Sequence, residues 1–297
     1  MILIDIITAL SFFIGIILIG VLPFPFLYVF SNLFRFFLHK VFRYRRSVIN
    51  DNLKKSLPHI DDKGRRHLVK LIYQNISDVF LEGVKAFTMS HKQIIKRHKI
   101  LNPEAIEPYI KSGQSILGVT AHYANWEWGS LSASGQINAH VVAFYKKLNN
   151  SYIDRFVRSN RMKYGTTLAS IEHTADTFDD YIGKGTVFVM AADQRTSKKM
   201  LKNAYWINFF NQETPFLYGP EKYAKRYNLP TFYIDIQRVR RGYYEVKLSP
   251  LVMDPSKLKN GELTKLYAQK LEEVITRKPQ DWLWSHRRWK FSTKPNN

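Results

Sequence analysis

Two polar residues in the aromatic stretch GVTAHYANWEWGS, residues 118 to 130, are of types that suit acid–base chemistry. His122 ends an apolar run, and Glu127 follows within the aromatic segment. A neutral imidazole can remove a proton from a hydroxyl group when a carboxylate holds its other ring nitrogen and fixes the tautomer. His122 and Glu127 are therefore a candidate general base and its acidic partner.

The spacing of this pair restricts its geometry. On one continuous helix, side chains five positions apart point about 140° away from each other. His122 and Glu127 can thus meet only if His122 lies in a turn before a helix begins. No nucleophile stands between them, so the pair suits direct deprotonation of a substrate hydroxyl rather than an acyl-enzyme intermediate. The spacing alone fits a structural histidine, bonded to a backbone carbonyl, at least as well.

Apolar periodicity predicts the elements that hold this segment. Ile116 to Thr120 has the pattern of a buried strand and Tyr123 to Ser134 that of a helix start, so His122 falls between them. In open α/β sheets, ligands bind at that edge. Further strands are predicted at Ala139–Tyr145, Thr186–Ala191, Pro230–Val239 and Tyr243–Leu248, with amphipathic helices over residues 63–88 and Glu262–Arg277. This alternation predicts an α/β fold with helices on the faces of a sheet.

Other polar groups follow the same pattern of positions. Asp193, Gln194 and Arg195 come directly after a predicted strand, where Arg195 could bind a phosphate while Asp193 holds it in place. An ordinary surface ion pair is the alternative. Arg155, Arg158 and Arg161 recur on one face of a predicted helix and form a basic stripe, suited to lipid phosphates or an acidic carrier protein. A solvated helix face explains the stripe equally well.

Composition narrows the class of protein. The 297 residues carry 45 Lys and Arg against 24 Asp and Glu, for a net charge of +21, which favours an anionic partner surface. The absence of cysteine excludes a thiolate nucleophile and any cysteine-bound metal. His173 and His286 lack the spacing of a metal-binding pair, so neither a metal nor a redox cofactor is expected.

The N-terminus favours a lipid surface over nucleic acid. Residues 6 to 34 form a long apolar segment interrupted by Pro23 and Pro25, enough for one span or for two helices dipping into one leaflet. Bulky residues stand where a cleavable signal needs small ones. Basic residues follow at Arg35 to Arg46, and the positive-inside rule places that flank in the cytoplasm. The WLWSHRRWK tail suits a membrane interface or base stacking, and a nucleic-acid binder has no use for the apolar segment.

Four motifs in order resemble the bacterial lipid A late acyltransferases, the lauroyl/myristoyl transferase family related to the glycerol-phosphate acyltransferases. They are RRSVINDNLKKSLP at 45 to 58, AHYANWEWGS at 121 to 130, MAADQR at 190 to 195 and PQDWLWSHRRWK at 279 to 290. The chain departs from the family where Lys146 replaces a frequent arginine after Tyr145, and where Asn211 replaces a frequent glycine after two phenylalanines.

This resemblance implies a mixed central sheet flanked by helices, with an N-terminal membrane-anchor helix. Residues 1–45 would be the hydrophobic anchor with its basic cytoplasmic flank, and residues 46–297 the cytoplasmic acyltransferase domain, at the bacterial inner membrane. The implied reaction moves a fatty acyl chain from acyl carrier protein to a hydroxyl of a lipid A precursor. His122 and Glu127 are the implied catalytic pair, and Lys146, Arg161, Asp193, Gln194 and Arg195 are candidate substrate-binding residues.

Several alternatives remain open at this point. The acceptor could be another lipid (an aminolipid, a phosphoglycolipid or a lysophospholipid), and the donor could carry coenzyme A. A basic lipid-binding protein without catalytic activity is a different class of function. A serine hydrolase is disfavoured because the chain has no G-x-S-x-G nucleophile elbow.

Overall fold

The computed structural model describes residues 2 to 291. The helices are α1 (Ile2–Gly20), α2 (Phe24–Phe36), α3 (Arg46–Ser56), α4 (Asp62–Lys85), α5 (His91–Arg97), α6 (Glu107–Lys111), α7 (Gly129–Ser132), α8 (Ser151–Met162), α9 (Thr174–Tyr181), α10 (Gly219–Arg226) and α11 (Glu262–Arg277). The strands are β1 (His98–Ile100), β2 (Ile116–Thr120), β3 (His140–Tyr145), β4 (Thr167–Ser170), β5 (Thr186–Ala191), β6 (Ala204–Phe209), β7 (Gln212–Leu217), β8 (Thr231–Arg240) and β9 (Tyr243–Val252).

The described residues form a mixed α/β fold whose main sheet has seven strands in the order β1-β9-β8-β2-β5-β3-β4. The strands from β8 to β4 run parallel to one another, whereas β9 pairs antiparallel with β8. Every residue of β2 is buried because the strand lies inside the sheet and helices cover both faces. The predicted α/β class is confirmed, and the five predicted strands lie within about two residues of β2, β3, β5, β8 and the first part of β9.

Local signals fix several of the helix ends. Asp61 accepts a hydrogen bond from the backbone N–H of Gly64 and caps α4, the long helix predicted over residues 63–88. Ser90 and Gln93 form a reciprocal capping box at the start of α5. Asn150 caps α8 by accepting from the backbone of residues 152 and 153.

The N-terminal apolar segment is divided at residues 21 to 23 into α1 and α2. Both helices are fastened to the body: Thr88 Oγ1 donates to the carbonyl of Gly20 at 2.5 Å, and Ser31 Oγ donates to Asp78 at 2.5 Å. Among the residues that the structure describes, no helix combines the length and the apolar character needed to cross a bilayer. The structure therefore does not support the predicted membrane-spanning anchor helix.

A second, two-stranded sheet joins β6 to β7 through a tight turn. Phe210 and Asn211 form this turn, both with positive φ (51° and 57°). Turns of this kind favour asparagine or glycine, so Asn211 serves where the related family often has glycine. The unfavourable backbone at Phe210 is offset in part by its N–H, which donates to Glu272 on α11 at 2.8 Å.

The C-terminal segment, residues 281 to 289, folds into the body rather than onto its surface. The side chains of Trp282, Trp284 and Trp289 are buried, with rings that pack against one another and against Phe209. The interpretation of this tail as interfacial or base-stacking is therefore wrong, since its aromatic rings complete the core. Trp residues bury large apolar areas while their N–H groups find partners, as they do here.

Candidate active site

The register of the parallel strands brings the first two functional residues together. In the sheet, β2 and β5 are neighbours, and their last residues, Thr120 and Ala191, are paired. His122 and Asp193 each follow two residues after those ends, so they emerge side by side at the carboxyl edge of the sheet. This is the edge at which open α/β sheets bind ligands.

Asp193 holds His122 at two atoms. His122 Nδ1 lies 2.6 Å from Asp193 Oδ1, and the backbone N–H of His122 donates to Asp193 Oδ2 at 3.0 Å. Trp282 Nε1 donates to the same Oδ2 at 2.9 Å. Because an ionised carboxylate only accepts hydrogen bonds, Nδ1 carries the proton and Nε2 is left with its lone pair.

His122 and Asp193 are buried enough that each strongly affects the pKa of the other. The Asp193 side chain is 3% exposed and that of His122 is 21% exposed. Burial opposes ionisation of Asp193, but the neighbouring imidazole and the hydrogen bonds from His122 and Trp282 hold its pKa below 3.8. Burial also disfavours the imidazolium, yet the Asp193 carboxylate outweighs it and raises the pKa of His122 above 6.5.

The free nitrogen of His122 faces polar and aromatic groups at the edge of the sheet. Gln194 Nε2 lies 3.1 Å from His122 Nε2, a distance at which the amide donates to the lone pair. The ring of Trp126 stands edge-on to the imidazole with 5.3 Å between centroids. His122 is thus oriented on one side and accessible on the other, the arrangement that a general base requires.

Glu127 does not hold His122 by a hydrogen bond, contrary to the geometry that the H-x4-E spacing suggested. Its carboxylate pairs with Arg161 on α8 at 2.5 Å and accepts from Trp126 Nε1 at 3.1 Å. Glu127 still acts on the imidazole through space, because its charge adds to that of Asp193 in raising the pKa of His122.

The local backbone explains why Glu127 turns away. No helix begins at Tyr123; instead this residue bridges to Trp282, and Ala124 adopts a positive φ of 49°. Asn125 then caps a short helical turn, Trp126–Trp128, by accepting from the backbone of Trp128 at 3.2 Å. This turn directs the Glu127 carboxylate toward α8.

The remaining candidate residues lie around this pair without all contacting it. Lys146 is exposed just beyond the end of β3, the neighbour of β5. Arg195 uses its backbone N–H to donate to His286 Nε2 at 3.0 Å, and its guanidinium has no hydrogen bond or ion pair among the described residues. The expectation that Asp193 holds Arg195 is therefore wrong, since the Asp193 oxygens are occupied by His122 and Trp282.

Sequence reasoning missed the role of the C-terminal segment in this site. Trp282 bonds Asp193, His286 accepts from Arg195, and the backbone carbonyl of Asp281 accepts from Ala124 at 2.8 Å. Burial lowers the pKa of His286 to about 4, so it stays neutral and accepting. The density of Trp and His in the tail was visible, but which groups they bond is decided only by the fold.

A second buried carboxylate, that of Glu82, holds the segment between His122 and Glu127 by a hydrogen bond from Asn125. Glu82 on α4 accepts from Asn125 Nδ2 at 2.7 Å, from the Tyr244 hydroxyl at 2.6 Å and from the Tyr28 hydroxyl at 2.9 Å. These four residues are called the Glu82 cluster below. Burial raises the pKa of Glu82, with Arg238 opposing it. The Glu82 cluster connects α2 and β9 to the loop that carries Glu127.

No three or more His, Asp or Glu side chains of the described residues lie together in a way that could hold a metal ion. The site brings together an oriented imidazole, two carboxylates and nearby cations.

Comparison with known proteins identifies the family of the chain. The family model described as bacterial lipid A biosynthesis acyltransferase matches residues 3–291, nearly the whole chain. No curated protein gives a significant match to the chain. With the family match covering the helices, the sheet and the C-terminal segment that build the site, the chain belongs to the bacterial lipid A biosynthesis acyltransferase family and is an acyltransferase.

Proposed function

We propose that this acyltransferase moves a fatty acyl chain from acyl carrier protein to a hydroxyl of a lipid A precursor, with His122 as the general base. The observation that supports this most directly is the double attachment of His122 to Asp193, which leaves Nε2 available at the edge of the sheet. A base oriented in this way needs no nucleophile of its own when the acceptor hydroxyl attacks the thioester.

In the proposed reaction, the acceptor oxygen attacks the thioester carbonyl carbon while His122 Nε2 takes its proton. A tetrahedral oxyanion forms, and its collapse breaks the carbon–sulfur bond. The thiolate of the donor leaves and receives the proton from the imidazolium, so His122 returns to its neutral form. Gln194 occupies the hydrogen-bonding position on Nε2 in the structure, and the acceptor hydroxyl takes its place during turnover.

Asp193 and Glu127 have different roles in this mechanism. Asp193 fixes the tautomer and the ring orientation and stabilises the imidazolium at contact distance. Glu127 stabilises the same imidazolium through space and also holds Arg161 beside the site. Asp193 and Glu127 therefore share the role that the H-x4-E signature assigned to Glu127 alone.

Nearby cations suit the anionic groups of the reaction. The guanidinium of Arg195 and the exposed ammonium of Lys146 stand at the carboxyl edges of β5 and β3, where a developing oxyanion or an acceptor phosphate would lie. Lys146 offers a point charge without the planar fork of arginine. Arg155 and Arg158, on the exposed part of α8, would attract the acidic carrier protein.

We also propose that the protein works at the cytoplasmic surface of the bacterial inner membrane. Exposed apolar side chains cover one side of α1 and α2 and are named the N-terminal apolar face: Ile4, Ile7, Leu10, Ile14, Ile17, Leu18, Phe26, Val29, Phe30 and Leu33. Contiguous apolar surface flanked by basic residues is typical of membrane contact. A lipid acceptor would then reach the site from the bilayer.

The reaction is tested with the purified protein, radiolabelled donors and a panel of acceptors. We expect product from acyl carrier protein and a lipid A precursor, and little from acyl-coenzyme A. Product on an aminolipid, a phosphoglycolipid or a lysophospholipid alone would replace the proposed acceptor. Binding of these lipids with no transfer to any of them would favour the non-catalytic alternative and contradict the proposal.

Glu127→Gln tests the role assigned to Glu127. We expect kcat to fall by about tenfold, because a neutral amide no longer stabilises the imidazolium, while the fold is kept. Glu172→Gln, on an exposed turn beyond β4, is the matched control and leaves kcat unchanged. An unaltered kcat in Glu127→Gln would remove Glu127 from the mechanism.

Membrane association is tested by flotation with anionic vesicles. The double variant Ile17→Glu, Phe30→Glu places two charges on the N-terminal apolar face and is expected to reduce vesicle binding at least tenfold. Ile171→Glu changes an exposed apolar residue outside α1 and α2 and serves as the control. Equal binding by all three proteins would contradict the proposed membrane surface.

A further inference from the structure

Arg288 is a fully buried arginine whose guanidinium has no hydrogen-bonding partner among the described residues. Its side chain is 0% exposed, and the atoms Nε, Nη1 and Nη2 make no hydrogen bond within the described residues. The guanidinium carbon lies over the ring of Phe216 on β7, 4.2 Å from the ring centroid. An unpaired buried charge is costly, so its retention calls for a compensating interaction.

The position of Arg288 is fixed by the residues that build the active site. Two residues before Arg288, His286 Nε2 accepts a hydrogen bond from the backbone N–H of Arg195. The backbone N–H of Arg288 donates to the carbonyl of His286 at 2.9 Å. The following residue, Trp289, donates to Thr214 Oγ1 on β7 at 2.9 Å. Trp282 of the same segment bonds Asp193 directly. The segment that carries Arg288 is therefore held between β7 and the loop that carries Asp193, and its guanidinium packs against β7.

Asp193 is the carboxylate whose charge most favours the protonated form of Arg288. Burial lowers the pKa of Arg288 to about 10, and Asp193 is the largest influence that opposes this lowering, followed by Tyr267 on α11. A guanidinium with that pKa is still protonated at neutral pH. Its charge and that of Asp193 thus compensate each other in the same low-dielectric region.

We propose that Arg288 is a positioning residue for the His122–Asp193 pair, whose buried charge balances the Asp193 carboxylate and keeps His122 neutral between turnovers. This assignment rests on the proposed role of His122 as a base. Arg288 acts through Asp193 and touches neither substrate.

The need for such a cation follows from the charges around His122. Asp193 and Glu127 both favour the imidazolium, and a base that is already protonated cannot accept the acceptor's proton. Arg161 and burial oppose them. Burial lowers the pKa of the neighbouring His286; Asp193 opposes this effect, whereas Arg288 and Arg195 add to it. The proposed role of Arg288 is to add a further opposing charge. Because its guanidinium makes no hydrogen bond among the described residues, it leaves the three hydrogen bonds of Asp193 intact.

The proposal is tested by titrating His122 in the full-length protein by NMR with ¹⁵N-labelled histidine, its signal identified by its loss in His122→Gln. Removing a nearby positive charge in Arg288→Met should raise the pKa of His122 by about 0.5 to 1 unit. Arg288→Lys keeps the charge and should titrate like the wild type. Arg287→Met removes the adjacent exposed charge and is the matched control.

The acid limb of the kcat/KM profile in Arg288→Met should move to higher pH by the same amount. A raised pKa of His122 without movement of that limb would support the assignment of Arg288 while removing His122 as the base. An unchanged pKa in folded Arg288→Met would overturn the proposal for Arg288 and leave the proposed function standing.

Arg288→Gln, which keeps a polar side chain of similar length, is titrated if the methionine variant does not fold. Should both neutral variants fail to fold while Arg288→Lys folds, Arg288 serves the fold rather than the base, and the proposal is overturned. Thermal unfolding of each variant distinguishes these cases.

Discussion

Two buried carboxylates, Asp193 and Glu82, form hydrogen bonds to the same short segment, Ala121 to Trp128, and they differ in the kind of groups that donate to them. Asp193 accepts three hydrogen bonds, two of them from His122 and one from Trp282. Glu82 also accepts three, from Tyr28, Asn125 and Tyr244. Yet the pKa of Asp193 is lowered while burial raises that of Glu82. Burial and the number of hydrogen bonds therefore do not decide the state of a carboxylate.

The difference lies in the donors. His122 can take up a positive charge, so it stabilises the ionised form of Asp193. The second ring nitrogen of His122 faces the carboxyl edge of the sheet. The phenols and the amide around Glu82 stay neutral and lead only into the protein. One carboxylate is thus placed to take part in proton transfer, and the other to hold a loop.

Replacing the base itself should have the largest effect. In His122→Ala we expect kcat/KM to fall on the order of 10³-fold, because the oriented imidazole that takes the acceptor's proton is removed. His173→Ala, an exposed histidine, is the control and should retain full activity. Acyl transfer that continues at the wild-type rate in His122→Ala would remove the distinction between the two carboxylates.

Asp193→Asn should reduce kcat by about 10²-fold, since the amide group can present a donor to Nδ1 and favour the wrong tautomer. Steady-state kinetics with saturating donor separates this effect on kcat from one on KM. Asn keeps the size of the side chain, so circular dichroism should show a folded protein. A change in KM alone would mean that Asp193 binds substrate rather than orienting His122.

Glu82→Gln should affect stability more than chemistry. We expect the free energy of unfolding, measured in urea, to fall by about 1–3 kcal/mol because the amide cannot accept from all three donors. The expected loss of kcat is less than tenfold. A loss of activity as large as that of Asp193→Asn, with unchanged stability, would place Glu82 in the reaction and break the comparison.

The pH dependence of kcat/KM should reflect His122. Since the base must be neutral and its pKa is raised above 6.5, activity should rise with pH through a midpoint above 6.5. The measurement is kcat/KM in overlapping buffers at constant ionic strength. A midpoint below 6.5 would mean that Asp193 does not control the base in the free enzyme.

Stability should depend on pH in opposite directions for the two carboxylates. The pKa of Asp193 is lowered in the folded protein, so its contribution is present above 3.8 and is lost as pH falls through the folded value. The pKa of Glu82 is raised, so its contribution is complete below 4.5 and is lost as pH rises through the folded value. Urea unfolding of wild type, Asp193→Asn and Glu82→Gln across pH measures both. Parallel pH dependence would contradict the assigned ionisation states.

Local sequence patterns predicted much of the framework and part of the site. The apolar runs gave β2 and β5, and the end of β2 correctly located His122 at the sheet edge, because strand periodicity is a local property. The partner of His122 was not predictable in the same way. Asp193 lies 71 residues away, and only the pairing of Thr120 with Ala191 brings it into contact.

Two other features depended on the whole fold. A helix was expected from Tyr123, but the bridge to Trp282 and the bond from Ala124 to Asp281 hold that stretch in an irregular turn. The tail was interpreted from its amphipathic composition, whereas its aromatic rings fill the space beside Phe209. Tertiary contacts override local propensity at such places. The β6–β7 hairpin was missed because its turn contains the bulky Phe210, a residue that does not signal a tight turn.

The position of Trp282 and Asp281 in the chain has a consequence for biosynthesis. Chains fold from the N-terminal side while the ribosome is still translating. The nascent sheet can form with β2 and β5 paired before residues 281 to 289 have left the exit tunnel. Until that segment arrives, Asp193 lacks its indole donor and Ala124 its carbonyl partner. The hydrogen bonds of the His122–Asp193 site are therefore complete only after residues 281 to 289 have docked, which is a later event than the pairing of β2 with β5.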